Sequence, residues 1–314
     1  MDAPTDLRQL VASATRAPSS HNTQPWVFRT TGTTIELYAD QDRRLPVNDP
    51  HDRELRISCG AALETLAVAA AAAGWHPAVA VLPDGEGPLL ARVSLRPAGP
   101  VAADLSSAVG LRATIRGPFG DDPVDRAVVD RARRAAGAAG VWVAPLDQDE
   151  RRELARLVEE GDRLQFGDRA WREELAAWMR PRRRRDGLGV PLLGAPLTRF
   201  VVRNLDLGAR VGRQDRHLTE TAPVLLVLST DRDDPEAWVE AGRALQRLLL
   251  TAAAVGVQAG YLNQPCQVEQ LRPRLSELVA QPFPQVVLRM GHPARRRPPS
   301  PRRPLDEVLR PGPA

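Results

Sequence analysis

The sequence predicts an α+β fold made of two tandem halves packed on each other as an intrachain pseudo-dimer, with a lid inserted in the second half. Three observations predict it: a repeated apolar helix, the same pattern flanking both copies, and a difference in length confined to one place. Gly60 to Trp75 reads GAALETLAVAAAAAGW and Gly242 to Val257 reads GRALQRLLLTAAAVGV; at a spacing of 182 residues and without gaps, eight of sixteen positions are identical. Gly60/Gly242, Leu63/Leu245, Leu66/Leu248 and Gly74/Gly256 match in register. Both segments are apolar on nearly every face and end in glycine, so each should be a buried helix with a glycine C-cap. Their small residues would let the two helices pack closely.

The elements follow in order. Leu7 to Thr15 has the spacing of an amphipathic helix, and strands are expected at Trp26 to Thr30 and Ile35 to Tyr38. Asp49-Pro50 precedes the first repeated helix, and extended stretches follow it at Ala78 to Leu82 and Leu89 to Leu95. The second half repeats the plan: a continuous apolar run from Val224 to Ser229, Asp234-Pro235, the helix, then strands at Gln258 to Leu262 and Gln285 to Met290. The junction falls near Gly99 to Gly110, which divides the chain into halves at 1–105 and 106–314. From Arg116 to Gly242 is 126 residues, whereas the first-half helix begins by Gly60, so an excess of at least sixty residues lies before Val224. It holds a helix with Trp171, Leu175 and Trp178, an arginine run, and a Gly/Pro-rich passage from Gly187 to Pro196. Long insertions of this kind are often lids, and we place one at about residues 161–220, with a C-terminal arm at 294–314.

Composition narrows the chemistry. The 314 residues include 43 arginines and no lysine. This excludes a Schiff-base lysine, a P-loop lysine and the β3 lysine of a kinase, and leaves guanidinium as the side-chain cation for any bound anion. The net charge is +4, but Arg180 with Arg182 to Arg185, and Arg295 to Arg297 with Arg302 and Arg303, hold ten arginines and no acids. The remainder has 33 arginines against 39 acids, so the body is mildly acidic. No helix-turn-helix, zinc-finger or RNA-recognition pattern accompanies the runs, which read as solvated loop or tail arginines rather than a nucleic-acid site. Cys59 and Cys266 form no disulfide framework and show no metal-ligand spacing. Met1 to Leu10 carries Asp2, Asp6 and Arg8 without the apolar run of a signal peptide, and the longest near-apolar stretch, Leu66 to Gly74, is too short to span a bilayer. The expectation is a soluble, cytoplasmic protein without a membrane segment.

Two motifs carry the functional reading. Ala17 to Trp26 reads APSSHNTQPW, a hydrogen-bonding loop between a helix and a strand; by residue type alone it is a turn rich in local side-chain caps. Its order closely resembles the PSSxNxQPW loop of the FMN-dependent nitroreductase superfamily. The resemblance implies that Pro18, Ser19, Ser20, Asn22 and Gln24 lie against a flavin ring and ribityl chain, in a site that the superfamily builds across two subunits. Leu111 to Phe119 reads LRATIRGPF and resembles the superfamily's Arg-x-Ser-x-Arg segment at the start of its first helix, with Arg112, Thr114 and Arg116 in those positions. Two arginines and a hydroxyl beside a helix start suit a phosphate monoester.

The first half has the Ser/Asn loop but no Arg-x-Thr-x-Arg. In the second half the matching loop reads AAGAAGVWVAP, without Ser, Asn or Gln. One complete site can therefore be assembled across the pseudo-dimer, so one FMN per chain is expected. Tyr261 to Pro265, YLNQP, follows the repeated helix where superfamily members place backbone near flavin N5, which implicates Leu262, Asn263 and Gln264. Pro301 to Leu305, PRRPL, resembles a C-terminal basic element that returns to the phosphate, implicating Arg302 and Arg303, although a basic tail is an equal reading of those arginines. Gln214 and His217 lie where some relatives put flavin-contacting polar groups.

With WREELAAWMR and DGLG, the whole pattern is similar to the single-chain Acg-type subfamily. That resemblance implies a fused architecture, one FMN and a covered flavin. The expected activity is transfer of electrons from NAD(P)H through FMN to a nitroaromatic, quinone or similar acceptor, without a catalytic side chain. The alternative is a flavin-sequestering protein of the same fold with little turnover. The chain would be a monomer with an internal pseudo-two-fold or a homodimer. His21 could touch substrate or act as a cap. His51, His76 and His292 show no i, i+4 metal spacing, so no metal is expected. Cys59 reads as a core thiol, Cys266 as a thiol near the flavin without an activating base, and Trp171 and Trp178 as one packed helical face.

Overall fold

In the computed structural model, residues 7–99, 105–137, 140–191, 194–295 and 300–311 are described. Part of the junction (100–104), Arg296 and Arg297, and the acidic start at 1–6 lie outside them. The first half contains α1 (Leu7–Ala14), β1 (Trp26–Thr31), β2 (Thr34–Ala39), α2 (Arg53–Ala72), β3 (Trp75–Val81) and β4 (Leu89–Pro97). The second begins with α3 (Ser106–Val109), α4 (Arg126–Ala136) and β5 (Val141–Pro145). It continues through α5 (Gln148–Gly167), α6 (Arg169–Trp178), α7 (Ala195–Asn204) and α8 (Gly208–Glu220) to β6 (Val224–Thr230) and α9 (Pro235–Ala253). Last come β7 (Gln258–Tyr261), α10 (Gln264–Gln267), α11 (Arg272–Val279), β8 (Phe283–Gly291), α12 (Leu305–Val308) and β9 (Leu309–Pro311). Residues 141–145 form a strand where the sequence was read as a degenerate loop, and β9 carried no strand signal.

The two sheets have the same order. The first runs β3-β4-β2-β1-β9 and the second, read from its far edge, β7-β8-β6-β5. Neighbours are antiparallel except β9, which lies parallel to β1 with Phe28 opposite Leu309, so the C-terminal arm crosses back to the first half. The halves differ at one connection. β1 and β2 are joined across Gly32 and Thr33, with Gly32 in the left-handed region at φ 57°, while residues 146–223 connect β5 to β6 and carry α5 to α8. Residues 161–220 therefore fall within a helical insertion that starts earlier than the sequence reading placed it.

Both repeated segments are helical, and they pack against each other. A Cβ on Gly60 would stand 2.0 Å from the Val239 carbonyl oxygen, and one on Gly242 would stand 2.0 Å from that of Ile57. No other residue permits that approach of two backbones. Beside the crossing, buried Glu64 accepts from Arg243 Nε and Arg247 Nη1, both at 3.0 Å. By length and composition α2 could cross a bilayer, since the helix extends well beyond the Leu66–Gly74 run; 72% of its most apolar window is buried inside the protein, and that burial accounts for its apolarity. Its leucines pack under the first sheet with Trp26, Phe28, Ile35 and Leu37. The second sheet is covered on both faces, by α9 through Leu245 and Leu248 and by α5 and α11 through Leu154, Leu157 and Leu275.

Candidate functional site

Between the halves lies a cavity of about 370 Å³, within the ~300–1,000 Å³ typical of small-molecule and cofactor sites. One wall is the loop after α1. Ser20, His21 and Asn22 form a single 3-10 turn, and His21, Asn22 and Gln24 all take left-handed φ values of 47–53°. Three non-glycine residues in that region are held there by neighbours. Ser19 Oγ accepts from the Gln24 amide at 3.0 Å, and Ser20 Oγ donates to Glu54 Oε2 at 2.7 Å. Asn22 Nδ2 reaches the Gly187 carbonyl at 3.2 Å, and its Oδ1 accepts from Arg302 Nη1 at 3.2 Å.

The opposite wall is the segment from Arg112 to Arg116. It runs extended beside β7, with Thr114 bridged to Ala259 and the Ile115 amide donating to the Ala259 carbonyl at 2.8 Å. Gly260 allows this approach, because a Cβ there would meet the Ile115 oxygen at 2.3 Å. Arg112, Thr114 and Arg116 all line the cavity, together with Ile115. The expected helix start is not there. The next long helix, α4, begins only at Arg126, after Gly117, Pro118, Gly120 and Pro123 interrupt the chain, so guanidinium and hydroxyl groups, not a helix terminus, make this end positive.

Arg112, Arg116 and Arg302 make one end of the cavity positive. Arg112 is 7% exposed and donates to Thr114 Oγ1 and to the Arg16 carbonyl, leaving its buried Nε without a partner. Arg302 donates to the carbonyls of Thr15, Arg16 and Ala17, which follow or end α1. Burial first, then Arg112 and Arg16, push the Arg302 guanidinium down to about 9, and burial likewise lowers Arg112. Neither forms an ion pair among the described residues. Cations so placed favour an anionic ligand.

The other end is acidic. Glu54 of α2, 3% exposed, accepts from Ser20, Asn48, Asn263 and Gln267. From the insertion come Asp162 and Asp215, bridged by Gln264 Nε2 at 3.1 and 2.9 Å. Trp171 also lines the cavity and donates its indole N–H to Asn48 Oδ1 at 2.9 Å. His21 faces the interior, where burial lowers its pKa to about 4 and keeps the ring neutral. Six buried polar atoms around this cavity have no partner among the described residues: Arg112 Nε, His21 Nδ1, Tyr261 Oη, Asp162 Oδ2, Gln264 Oε1 and Arg289 Nε. A concentration of orphaned donors and acceptors on one cavity is what a polar ligand would complete.

The insertion is fastened over the loop. Gln24 Nε2 donates to the Arg185 carbonyl at 2.9 Å, and the Gly187 amide donates to the Asn22 carbonyl at 3.2 Å. Between them, buried Asp186 receives Arg43 at 2.5 Å and Arg180 at 2.6 Å. Trp178 lies beneath both guanidiniums, 5.4 and 4.2 Å from its ring centroid. Glu174 of α6 accepts from the amides of Val47 and Asn48.

No family model matches the chain. A protein of Mycobacterium tuberculosis named "Putative NAD(P)H nitroreductase acg" is 32% identical over 314 residues, covering 96% of this chain and 95% of its own. A second from that organism, "Putative NAD(P)H nitroreductase Rv3131", is 32% identical over 315 residues, covering 96% and 90%. This chain belongs to the nitroreductase family. Among solved structures, the FMN- and NADPH-dependent nitroreductase NfnB of a Sphigopyxis strain is 22% identical, with 66% of this chain and 98% of that one covered and a TM-score of 0.45.

For this nitroreductase-family chain, the structure brings Pro18, Ser19, Ser20, Asn22, Arg112, Thr114, Arg116, Leu262, Asn263, Gln264 and Arg302 to one cavity. It does not bring Gln24, Gln214 or Arg303 there. Gln24 is fully buried beneath the loop, where its Oε1 accepts from the Arg303 amide at 2.8 Å. Arg303 turns away because consecutive residues of an extended arm face opposite sides, and it pairs with Asp40 at 3.2 Å. On α8, Gln214 and His217 point to solvent, while Asp215 and Leu218, three apart, face the cavity. Val211 is half-buried on that same face; its apolar phase is the signal that would have selected Asp215.

Cys266 is buried in the core with Leu262 and does not itself line the cavity, and burial pushes its thiol up to about 11. Cys59 lies in the first-half core, where burial raises its thiol too. Glu54, Tyr261 and Arg289 also line the cavity, and residue type and spacing alone do not single them out. Among the described residues, no cluster of His, Cys, Asp or Glu could hold a metal.

Proposed function

We propose that the chain binds one FMN in this cavity and passes electrons from NAD(P)H to a nitroaromatic, quinone or similar acceptor. The observation that carries the reading is the meeting of Arg112 and Arg302 at one end of the cavity, neither in an ion pair among the described residues. Arg112, Thr114, Arg116 and Arg302 would hold a phosphate, with Arg302 contributing charge more than contact because its N–H groups are occupied by carbonyls. Pro18 to Asn22 would lie along the ribityl chain and ring, and Leu262 to Gln264 at the ring edge. Bound FMN would supply the redox step, and the protein would orient it, exclude water and set the local charge. The halves at 1–105 and 106–314 would be the fused equivalents of two subunits, sharing one site because the second-half loop has lost its polar residues. The insertion, with 161–220 over the cavity, would be the lid.

The fastening at Asp186 favours a second reading, flavin sequestration with little turnover. One experiment separates the two. The purified protein is examined for a flavin spectrum and then treated with NADPH or NADH without oxygen. Bleaching within seconds supports the oxidoreductase, whereas flavin that answers only to dithionite supports sequestration. A colourless protein that cannot be reconstituted with FMN refutes both.

A further inference from the structure

We infer that Asp162 is the proton donor to the molecule reduced in the cavity, held in position by Gln264 beside Asp215, and that the acceptor is a neutral molecule with a reducible oxygen. The inference rests on the oxidoreductase reading above.

The site is built. Gly161 lets α5 lie against the turn after β7, since a Cβ there would stand 2.6 Å from Gln264 Cβ. Asp162 is consequently 3% exposed and lines the cavity. Its Oδ1 accepts from Gln264 at 3.1 Å, while its Oδ2 is buried with no partner. Asp215 of α8 faces it across the shared amide. Arg289 of β8 acts on Asp215 and donates to the carbonyls of Gly117 and Ile115. Tyr261, Glu54, His21, Arg112, Arg116 and Arg302 are the remaining titratable groups that line the cavity. On the outer side, Arg274 of α11 is taken by Glu153 and Glu160. No cation pairs with Asp162 among the described residues. Burial, then Asp215, push its carboxyl up to about 7 from an ordinary 3.8, so near neutrality it can hold its proton. Oδ2 has no hydrogen-bond partner among the described residues, and when protonated it would donate to a carbonyl or nitro oxygen of a ligand.

The step balances. A quinone takes a hydride from the reduced cofactor and the Asp162 proton on its oxygen, and leaves as hydroquinone. The O–H bond of the carboxyl breaks, its electron pair stays as carboxylate, and solvent restores the proton.

The test uses FMN-loaded protein reduced with just sufficient dithionite, then mixed with benzoquinone from about pH 5 to about pH 9, so that nicotinamide access plays no part. Reoxidation by wild type should slow as pH rises through the range where Asp162 loses its proton. Asp162→Asn should retain FMN, reoxidise about a hundredfold more slowly and lose the pH dependence. It should also lose an infrared band of a protonated carboxyl that wild type shows at neutral pH. Asp215→Asn removes the neighbouring charge and should move the wild-type profile to lower pH. If Asp162→Asn holds FMN yet reoxidises as wild type does, or if Asp215→Asn leaves the profile in place, this inference is overturned and the flavin reading stands. If wild type holds no FMN, both fall.

Discussion

The two sheets share a strand order but not a covering, and that difference separates scaffold from site. In the first half, β1 turns into β2 across two residues, and β2 and β3 alternate between more and less buried positions. In the second half, residues 146–223 make the corresponding connection, its helix α5 packs on the second face of the sheet, and β6 is buried almost without alternation. A strand covered on both sides needs apolar residues on both sides, which is why VLLVLST reads as a continuous run. The insertion also brings Asp162, Gln165, Trp171 and Asp215 to the cavity. The first half supplies the loop and Glu54, and the second supplies the arginines and the cover.

The largest expected effect falls on the feature the halves share. Gly60→Val or Gly242→Val drives a side chain into a backbone carbonyl of the partner helix and should destabilise by about 3 kcal/mol or more. Gly32→Ala, in the open hairpin, should cost only about 1–2 kcal/mol for its left-handed backbone. Urea midpoints compare them, and equal losses would mean the helix crossing is not the tight point of the fold.

Next comes the division of labour at the cavity. Arg112→Ala should weaken FMN binding roughly tenfold to a hundredfold, from a lost charge-assisted interaction of about 1.5–3 kcal/mol. Arg303→Ala and Gln214→Ala, whose side chains lie outside, should change it less than about twofold. Fluorescence titration with FMN decides, and a large effect at Gln214 would restore the sequence reading over the structural one.

A smaller effect concerns the cover. Asp186→Ala removes the carboxylate that joins Arg43 of the first half to Arg180 of the insertion, and should raise the rate at which iodide quenches bound flavin several-fold. An unchanged rate would show that the cover is held elsewhere.

The smallest is a pH effect on stability. The native Asp162 carboxyl binds its proton more tightly than the unfolded one, so the native state carries extra protons between about pH 4 and about pH 7. Stability therefore declines as pH rises through that window. Asp162→Asn should remove this contribution, raising Tm at pH above about 7 by a few degrees relative to wild type and leaving it similar below about pH 4. A parallel shift at both ends would count against a buried titrating carboxyl.

Much of this was legible in the residues. The repeated helices and seven of the nine strands follow from apolar pattern, because local periodicity reports which face is buried. β5 was hidden by the small residues before it, and β9 is a three-residue strand that exists because β1 offers it an edge. Within the site, Ser19, Ser20, Asn22, Arg112 and Arg116 could be chosen because residue type and order are local facts. Arg302 and Arg303 could not be told apart by type, and an extended arm sends them to opposite sides. Glu54 and Asp162 gave no local signal, since a carboxylate on a helix reads as solvent-facing until its neighbours are known.

What the sequence by itself determined is the inventory: a repeated apolar helix with similar flanks, one polar loop, one arginine segment, a long stretch between that segment and the second copy of the helix, and guanidinium as the cation for any anion held by side-chain charge. Only the tertiary structure decided that the glycines cross, that eleven of the chosen residues meet in one cavity, and that arginines gather at one end of it and three carboxylates at the other. Periodicity and composition are properties of neighbours along the chain, whereas burial, pairing and pKa depend on groups that are more than a hundred residues apart in sequence, such as Asn22 and Arg302, and 3.2 Å apart in space.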